Sequence, residues 1–178
     1  MKILAIADID DLYCTNGPGR ADILLSCGDV CDQVILDAAE ACGAGKVFAI
    51  KGNHDRDVPF ADPIIALHLN VVEHDGLTFG GLNGCWKYKS HGPFLYEQSE
   101  VDQMLETLSA VDVLICHNSP RGIHDRDDKV HFGFDALNTY IERCQPKMLI
   151  HGHQHVNTET QVGGTRVIGV YGNRLIDI

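Results

Sequence analysis

Met148-Leu149-Ile150-His151-Gly152-His153-Gln154-His155 is a short apolar run that ends in three alternating histidines. A strand running into a glycine lets the backbone turn sharply and aims the side chains beyond it at one point. His153 and His155 are two residues apart, so in an extended segment they lie on the same side. Such a pair can hold two metal-ligating imidazoles close together, and it also occurs in ordinary polar loops. Which reading applies depends on whether the rest of the chain supplies partners.

Four other apolar runs end in the same way. Ile3 to Ala7 leads into Asp8 and Asp10, and Ile23 to Cys27 into Gly28-Asp29. Val47 to Ile50 leads into Gly52-Asn53-His54-Asp55, and Val113 to Cys116 into His117. Open α/β sheets form their sites outside the carboxyl ends of strands. Any one ending is ordinary, because Asp and Asn favour turns. Five in one chain, with four imidazoles among them, point to a dinuclear metal site.

Between these runs the spacing predicts helices over Asp32 to Cys42, with Gly43 as the stop, over Glu97 to Leu108, and over Phe134 to Cys144, stopped before Pro146. Pro63 to Leu69 reads as a further short helix, and Asn83 to Tyr96 as a loop. Val71-Val72 and Leu77 to Leu82 read as strands, with Gly80-Gly81 marking a bulge or a close approach. Asn118 to His131 is a long polar loop of the kind that often carries function. The tail reads as strands over Thr158 to Val162, Thr165 to Val170 and Arg174 to Ile178, with Gly163-Gly164 and Gly172-Asn173 as tight turns between them. Alternating strands and helices, closed by antiparallel strands, argue an α/β fold in one domain over residues 1–178.

The 178 residues carry a formal net charge of -11. That charge repels nucleic acid and anionic membrane, so no extended nucleic-acid surface and no membrane association are expected. It leaves room for a local site where bound metals dominate the field. Seven irregularly spaced cysteines, without a Cys-x-x-Cys, argue against a disulfide framework and for the cytoplasm. No apolar run is long enough to span a membrane, and the N-terminal run is too short for a signal peptide. The oligomeric state is open, a homodimer included.

The strand endings resemble the calcineurin-like metallophosphoesterase family, whose pattern is Asp-x-His, Gly-Asp-x-x-Asp, Gly-Asn-His-Asp/Glu, a lone His and Gly-His-x-His. The matching segments here are Asp8-Ile9-Asp10, Gly28-Asp29-Val30-Cys31-Asp32, Gly52-Asn53-His54-Asp55, His117 and Gly152-His153-Gln154-His155. They occur in order and span nearly the whole chain. Asp10 stands where the family usually has His. The resemblance implies a two-sheet β-sandwich flanked by helices, close to a minimal version without a cap domain. It also implies two divalent metal ions. Asp8, Asp10, Asp29 and His155 would hold one, and Asp29, Asn53, His117 and His153 the other. Asp29 would bridge, since a carboxylate has two oxygens. Mixed N/O ligands suit manganese, iron, zinc or nickel. A carboxylate at residue 10 adds negative charge and shifts the expectation towards manganese.

The implied chemistry is hydrolysis of phosphate esters by a metal-bridging hydroxide. His54 would donate a proton to the leaving oxygen, oriented by Asp32. An open groove without a cap favours phosphodiesters, and phosphomonoesters remain an alternative. Asn118, Arg121 and His124 are the candidate substrate-side residues of the long loop, with Asn118 also placed to support His117. Arg126 and Lys129, and Trp86, Lys87, Lys89 and His91 of the central loop, are weaker candidates for the groove. His151 has no assigned role, and His68 and His74 read as incidental. A competing reading is a binding module of the same fold that has lost the chemistry. The near-complete ligand set and His54 argue against it, and metal analysis with an aryl phosphodiester assay separates the two.

Overall fold

The computed structural model describes residues 1–9 and 19–178. Asp10, Cys14 and most of the Gly17–Gly19 turn lie outside the described residues. In chain order the elements are β1 (Lys2–Ala7), β2 (Ile23–Cys27), α1 (Asp32–Cys42), β3 (Lys46–Ile50), β4 (Ile65–Ala66), β5 (Val71–His74), β6 (Leu77–Leu82), β7 (Cys85–Trp86), β8 (Leu95–Tyr96), α2 (Gln98–Thr107), β9 (Val113–Cys116), α3 (Asp135–Cys144), β10 (Met148–His151), β11 (Thr158–Val162), β12 (Thr165–Gly169) and β13 (Gly172–Asp177).

Two main sheets result, ordered β13-β1-β2-β3-β4 and β11-β12-β10-β9-β6-β5, beside the small β7-β8 pair. The central strands of both are parallel; antiparallel β13, β11 and β5 form three of the edges and parallel β4 the fourth. Strand alternation sorts the apolar residues into three layers. Ile3, Ala5, Ile23, Leu25, Phe48 and Ile50 of the first sheet meet Phe79, Val113, Ile115, Met148, Ile150 and Ile168 of the second. The intervening Leu4, Ile6, Leu24, Val47 and Ala49 face α1 through Val34, Ile35 and Ala39. Leu114, Cys116, Leu149 and Val167 face α2 and α3 through Val101, Leu105, Leu137, Tyr140 and Ile141. Both faces of each sheet are therefore covered, which is why the central strands read as continuous apolar runs rather than alternating ones. The result is the expected two-sheet sandwich flanked by helices.

Helix ends follow local chemistry. Gly43, at φ 73°, closes α1 by donating to Glu40 O. Glu97 and Glu100 form a capping box at the start of α2.

Three expectations fail. Pro63 to Leu69 is not helical, because Ile65–Ala66 pairs with Phe48–Ala49 as the edge strand β4; sheet pairing overrides the local apolar spacing. The Asn83 to Tyr96 loop contains a short parallel pair, Cys85↔Leu95 and Trp86↔Tyr96. Gly172-Asn173 does not close a hairpin, since β12 pairs with β10 and β13 crosses to the other sheet to pair with β1. At Gly80-Gly81 the ladder to β9 is unbroken, and a Cβ on Gly81 would lie 2.5 Å from Ile50 Cγ2. Close approach of the sheets, not a bulge, explains that pair. Among the described residues no helix is long and apolar enough to cross a membrane, and Cys27, Cys31, Cys42, Cys85, Cys116 and Cys144 are free thiols.

Candidate metal centre and cleft

The carboxyl ends of β1, β2 and β3 bring Asp8, Asp29 and Asn53 to one rim of the sandwich, and those of β9 and β10 bring His117, His153 and His155 to the same rim. Asp8, Asp29, His153 and His155 all sit in the left-handed region, at φ 56°, 55°, 63° and 52°. Few non-glycine residues adopt it, and strained backbone of this kind concentrates at functional sites. Here it bends each chain out of its strand and back over the rim.

The donor atoms converge. Ligand atoms of Asp8, Asp29 and His117 all lie within 4.8 Å of one another. His117 Nε2 is 3.2 Å from Asp29 Oδ2 and 3.2 Å from Asn53 Oδ1. His155 Nε2 is 3.6 Å from Asp8 Oδ1. The tautomers are set by backbone carbonyls. His117 Nδ1 donates to Cys27 O at 2.9 Å, turning Nε2 towards the carboxylates. His153 Nε2 donates to Val130 O at 3.0 Å, leaving Nδ1 as the nitrogen with a lone pair to offer a metal. His153 N donates to Asp8 Oδ2 at 2.8 Å, and His54 N to Asp29 Oδ1 at 2.8 Å. Asp55 braces the arrangement by accepting from Gly52 N and Asp29 N.

One atom in this cluster is left over. Asp8 Oδ1 is buried with no hydrogen-bond partner among the described residues, and a buried carboxylate oxygen in that state is costly. It faces His155 Nε2, so a cation between them satisfies both. Carboxylate, amide and imidazole donors in one cluster fit a manganese, iron, zinc or nickel ion.

The electrostatics agree. Burial raises the Asp8 carboxyl above its ordinary value, against the opposing pull of His117. Burial also works to raise Asp29, but His117 overrides it and holds the carboxyl at about 2. Burial depresses His153 to about 3, so this imidazole is neutral. Burial works to depress His117 as well, yet Asp29 and Asp8 raise it from 6.5 to about 9. In the metal-free protein this proton-held pair therefore stabilises the fold fully between pH 3.8 and 6.5; the contribution is lost as pH rises through 9 and as pH falls through about 2. A metal needs the neutral imidazole, so loading at pH 7 must expel the His117 proton, and loading above pH 9 must not. Calorimetric titration of metal in two buffers of different ionisation enthalpy is expected to show this proton at pH 7, added to any that a metal-bound water releases, and its loss from the total towards pH 10. Equal release at both would mean that His117 is not a ligand.

A cleft of about 510 Å³ opens over this cluster, lined by Asp8, Ile9, Asp29, Val30, Cys31, His54, Asp55, His155 and Tyr171. Asp8, Asp29, Asn53, His117, His153 and His155 are thus brought together as expected, and His54 lines the cleft in an exposed position. Asp10 falls outside the described residues.

Other expected residues are placed differently. Asp32 lies 3.5 Å from Lys51 Nζ and accepts from Ala61 N at 2.7 Å; among the described contacts it makes none with His54. Asn118 is fully buried, donates to Phe132 O and accepts from Gln154, so it supports the histidine turn from behind and does not face the cleft. Arg121 is taken up by Asp125 and Asp127 and lies over the Phe132 ring. His124 is bonded to His151 and Thr160. Partners within the loop, in β10 and β11 and in the histidine turn claim the polar groups of these three. His151 is fully buried and bonded to Gly152 O and His124, not solvated.

The structure also adds residues. His131, held by Asp128, packs against the His153 ring with centroids 5.3 Å apart. Gln154 donates to Asn118, Ser119 and His131 O, tying the histidine turn to the long loop. Tyr171 stacks on His155. A lone aromatic before a glycine in the tail carries no signal in the sequence that would single it out.

This fold and this rim of carboxylates and imidazoles define a metal-dependent phosphoester hydrolase, and residues 1–157 match the calcineurin-like phosphoesterase family. The chain belongs to that family. Among solved structures, one that is 20% identical superposes with a TM-score of 0.72, covering 99% of this chain and 94% of that one. Phosphopantetheinyl hydrolase from Mycobacterium tuberculosis is 14% identical at TM-score 0.55, with 96% of this chain and 89% of that chain covered. A single mutant of Vps29 from Entamoeba histolytica is 16% identical at TM-score 0.52, covering 100% and 86%. These likenesses are of fold. No curated protein matches the chain.

Proposed function

We propose that this chain hydrolyses phosphodiesters with two divalent metal ions, manganese foremost, held by Asp8, Asp29, Asn53, His117, His153 and His155 with Asp10 as a further ligand. The observation that carries the reading is the buried Asp8 Oδ1, without a hydrogen-bond partner among the described residues and set beside the donor atoms of Asp29, His117 and His155 on the floor of a cleft. Bound there, two ions supply an acidified water and positive charge for the phosphoryl oxygens.

The rest is the work of the chain. Asp29 offers Oδ2 on the His117 side and Oδ1 on the His54 side, which suits a shared ligand. Its hydrogen bond from His54 N fixes where the His54 backbone sits, so the imidazole projects into the cleft. There it can hydrogen-bond the leaving oxygen and give it a proton. Asp32 serves a different purpose, tying β3 to the start of α1 through Lys51. The exposed placement of His54 and His155 leaves room for the second ester arm of a diester.

The direct test is metal analysis of the purified protein with turnover of bis(p-nitrophenyl) phosphate beside p-nitrophenyl phosphate. Tight metal without turnover of either would replace this reading with that of a binding module. Preference for the monoester would replace the substrate class. His54→Ala is expected to keep its metals and to lose roughly 10²–10⁴-fold in turnover of alkyl diesters, the usual range for a lost general acid. With p-nitrophenyl leaving groups, which need no proton, the loss should shrink. Equal loss for both would remove the proton-donor role.

A further inference from the structure

Tyr171 is not explained by metal binding or by proton transfer. It is a large aromatic residue, 47% exposed, on the wall of the same cleft as Asp8, Asp29 and His54. Its ring stacks on His155 with centroids 4.8 Å apart and planes at 26°. Its backbone is clamped on both sides by one side chain. Tyr171 N donates to Asn157 Oδ1 at 3.1 Å, and Asn157 Nδ2 donates to Tyr171 O at 2.9 Å. The following residue, Gly172, pairs with Ala7 at the end of β1, so the ring is fixed to the rim that carries Asp8. Ile9 and Val30, joined by a β-bridge, give the same cleft apolar surface.

An aromatic ring left exposed in a site of carboxylates and imidazoles forgoes burial. Because it is held in place, little ordering cost remains when a ligand covers it. Tyr171 reaches the carboxylate pair through His155 and Asp8, whereas His54 reaches it through Asp29. The two residues therefore flank the pair from opposite members. With His54 as the proposed proton donor, the leaving alcohol would lie on its side and the alcohol that stays on phosphorus on the Tyr171 side.

We infer that Tyr171 is a specificity-determining residue whose ring stacks on a planar aromatic group, an aryl ring or a nucleobase, carried by the retained alcohol of the ester. The inference rests on the phosphodiesterase reading for the identity of the two arms. Stacking of a base on an aromatic side chain tolerates any planar ring. The substrate class is thus a diester with one aromatic arm near the phosphoryl group.

The test uses the retained-arm products as ligands. Thymidine 5′-phosphate and methyl phosphate are titrated calorimetrically into the manganese-loaded protein. The parent is expected to bind the first more tightly by about tenfold, the scale of one base stack. Tyr171→Ala should bring the ratio of the two dissociation constants towards one, and Tyr171→Phe should keep it. A parent ratio near one, a ratio unchanged in Tyr171→Ala, or equal weakening of both ligands overturns the inference; the last would show that the ring only props His155. Turnover of the p-nitrophenyl diesters of the same two phosphates, measured in parallel, reads the phosphodiesterase proposal separately. A parent with the binding preference but no turnover of either diester retains the Tyr171 subsite and loses the proposed reaction.

Discussion

Asp29→Ala should leave the purified protein with neither metal firmly held and with turnover at the metal-free background. The expectation follows from how many functions one carboxylate serves. Its Oδ2 lies 3.2 Å from His117 Nε2, and its Oδ1 accepts from His54 N at 2.8 Å. It shares the 4.8 Å cluster with Asp8 and His117. Removing it takes a ligand from both proposed metals and an anchor from the proposed proton donor. His155→Ala, by contrast, removes a half-exposed proposed ligand whose carboxylate neighbour is Asp8, and should weaken one metal more than the other. Mass spectrometry of metal content, beside turnover, distinguishes the two patterns. A second readout needs no metal. With Asp29 gone, burial prevails at His117, and its titration should move down from about 9. Following the imidazole by NMR in the metal-free variant tests this. A two-metal Asp29→Ala protein with parental turnover would mean that the centre lies elsewhere.

The convergence of these carboxylates and imidazoles was legible because they hang on strand ends. A strand fixes the direction of its side chains, and parallel strands of one sheet end at one rim, so local order along the chain becomes proximity in space. That reasoning reached Asp8, Asp29, Asn53, His117, His153 and His155. It also recovered the α1 boundaries, where apolar spacing and Gly43 agree. It failed where partners are chosen at a distance. The apolar residues around Ile65 have a helix-like spacing, but the open edge of β3 offers them backbone hydrogen bonds and they become a strand. Arg121 and His124 look like substrate groups in a polar loop, yet Asp125 and Asp127 of the loop occupy the first, and His151 of β10 and Thr160 of β11 occupy the second. Asp32 matches the family pattern by position, and its contacts with Lys51 and Ala61 give it a structural task instead. Tyr171 could not be found from sequence, because its place depends on β13 crossing to the first sheet.

The same distance dependence makes Gly52→Ala the most informative single methyl group in the chain. Gly52 has no special backbone angle to protect; what it protects is space. A Cβ there would fall onto Asp29, meeting its Oδ1, with Cγ at 2.6 Å and the backbone N at 2.7 Å. Asp29 has no room to yield. Its N–H is held by Asp55 and its carboxylate by His117 and His54 N. Gly28 packs against the other side, where its own added Cβ would meet Gly52 N at 2.6 Å. Overpacking of this kind costs about 1–3 kcal/mol, a loss the sandwich core, remote from the rim, should survive. Gly52→Ala is therefore expected to fold, with a lowered melting temperature and a far-UV spectrum like the parent's. Its metals should be lost and its turnover should fall to background, because the shared carboxylate can no longer keep its place. Gly164→Ala is the matched control: nothing lies within 4 Å of a Cβ in that turn between β11 and β12, so metal content and turnover should stay parental. If Gly52→Ala instead bound two metals and turned over like the parent, Asp29 would not be seated against the end of β3, and the bridging role assigned to it would fall.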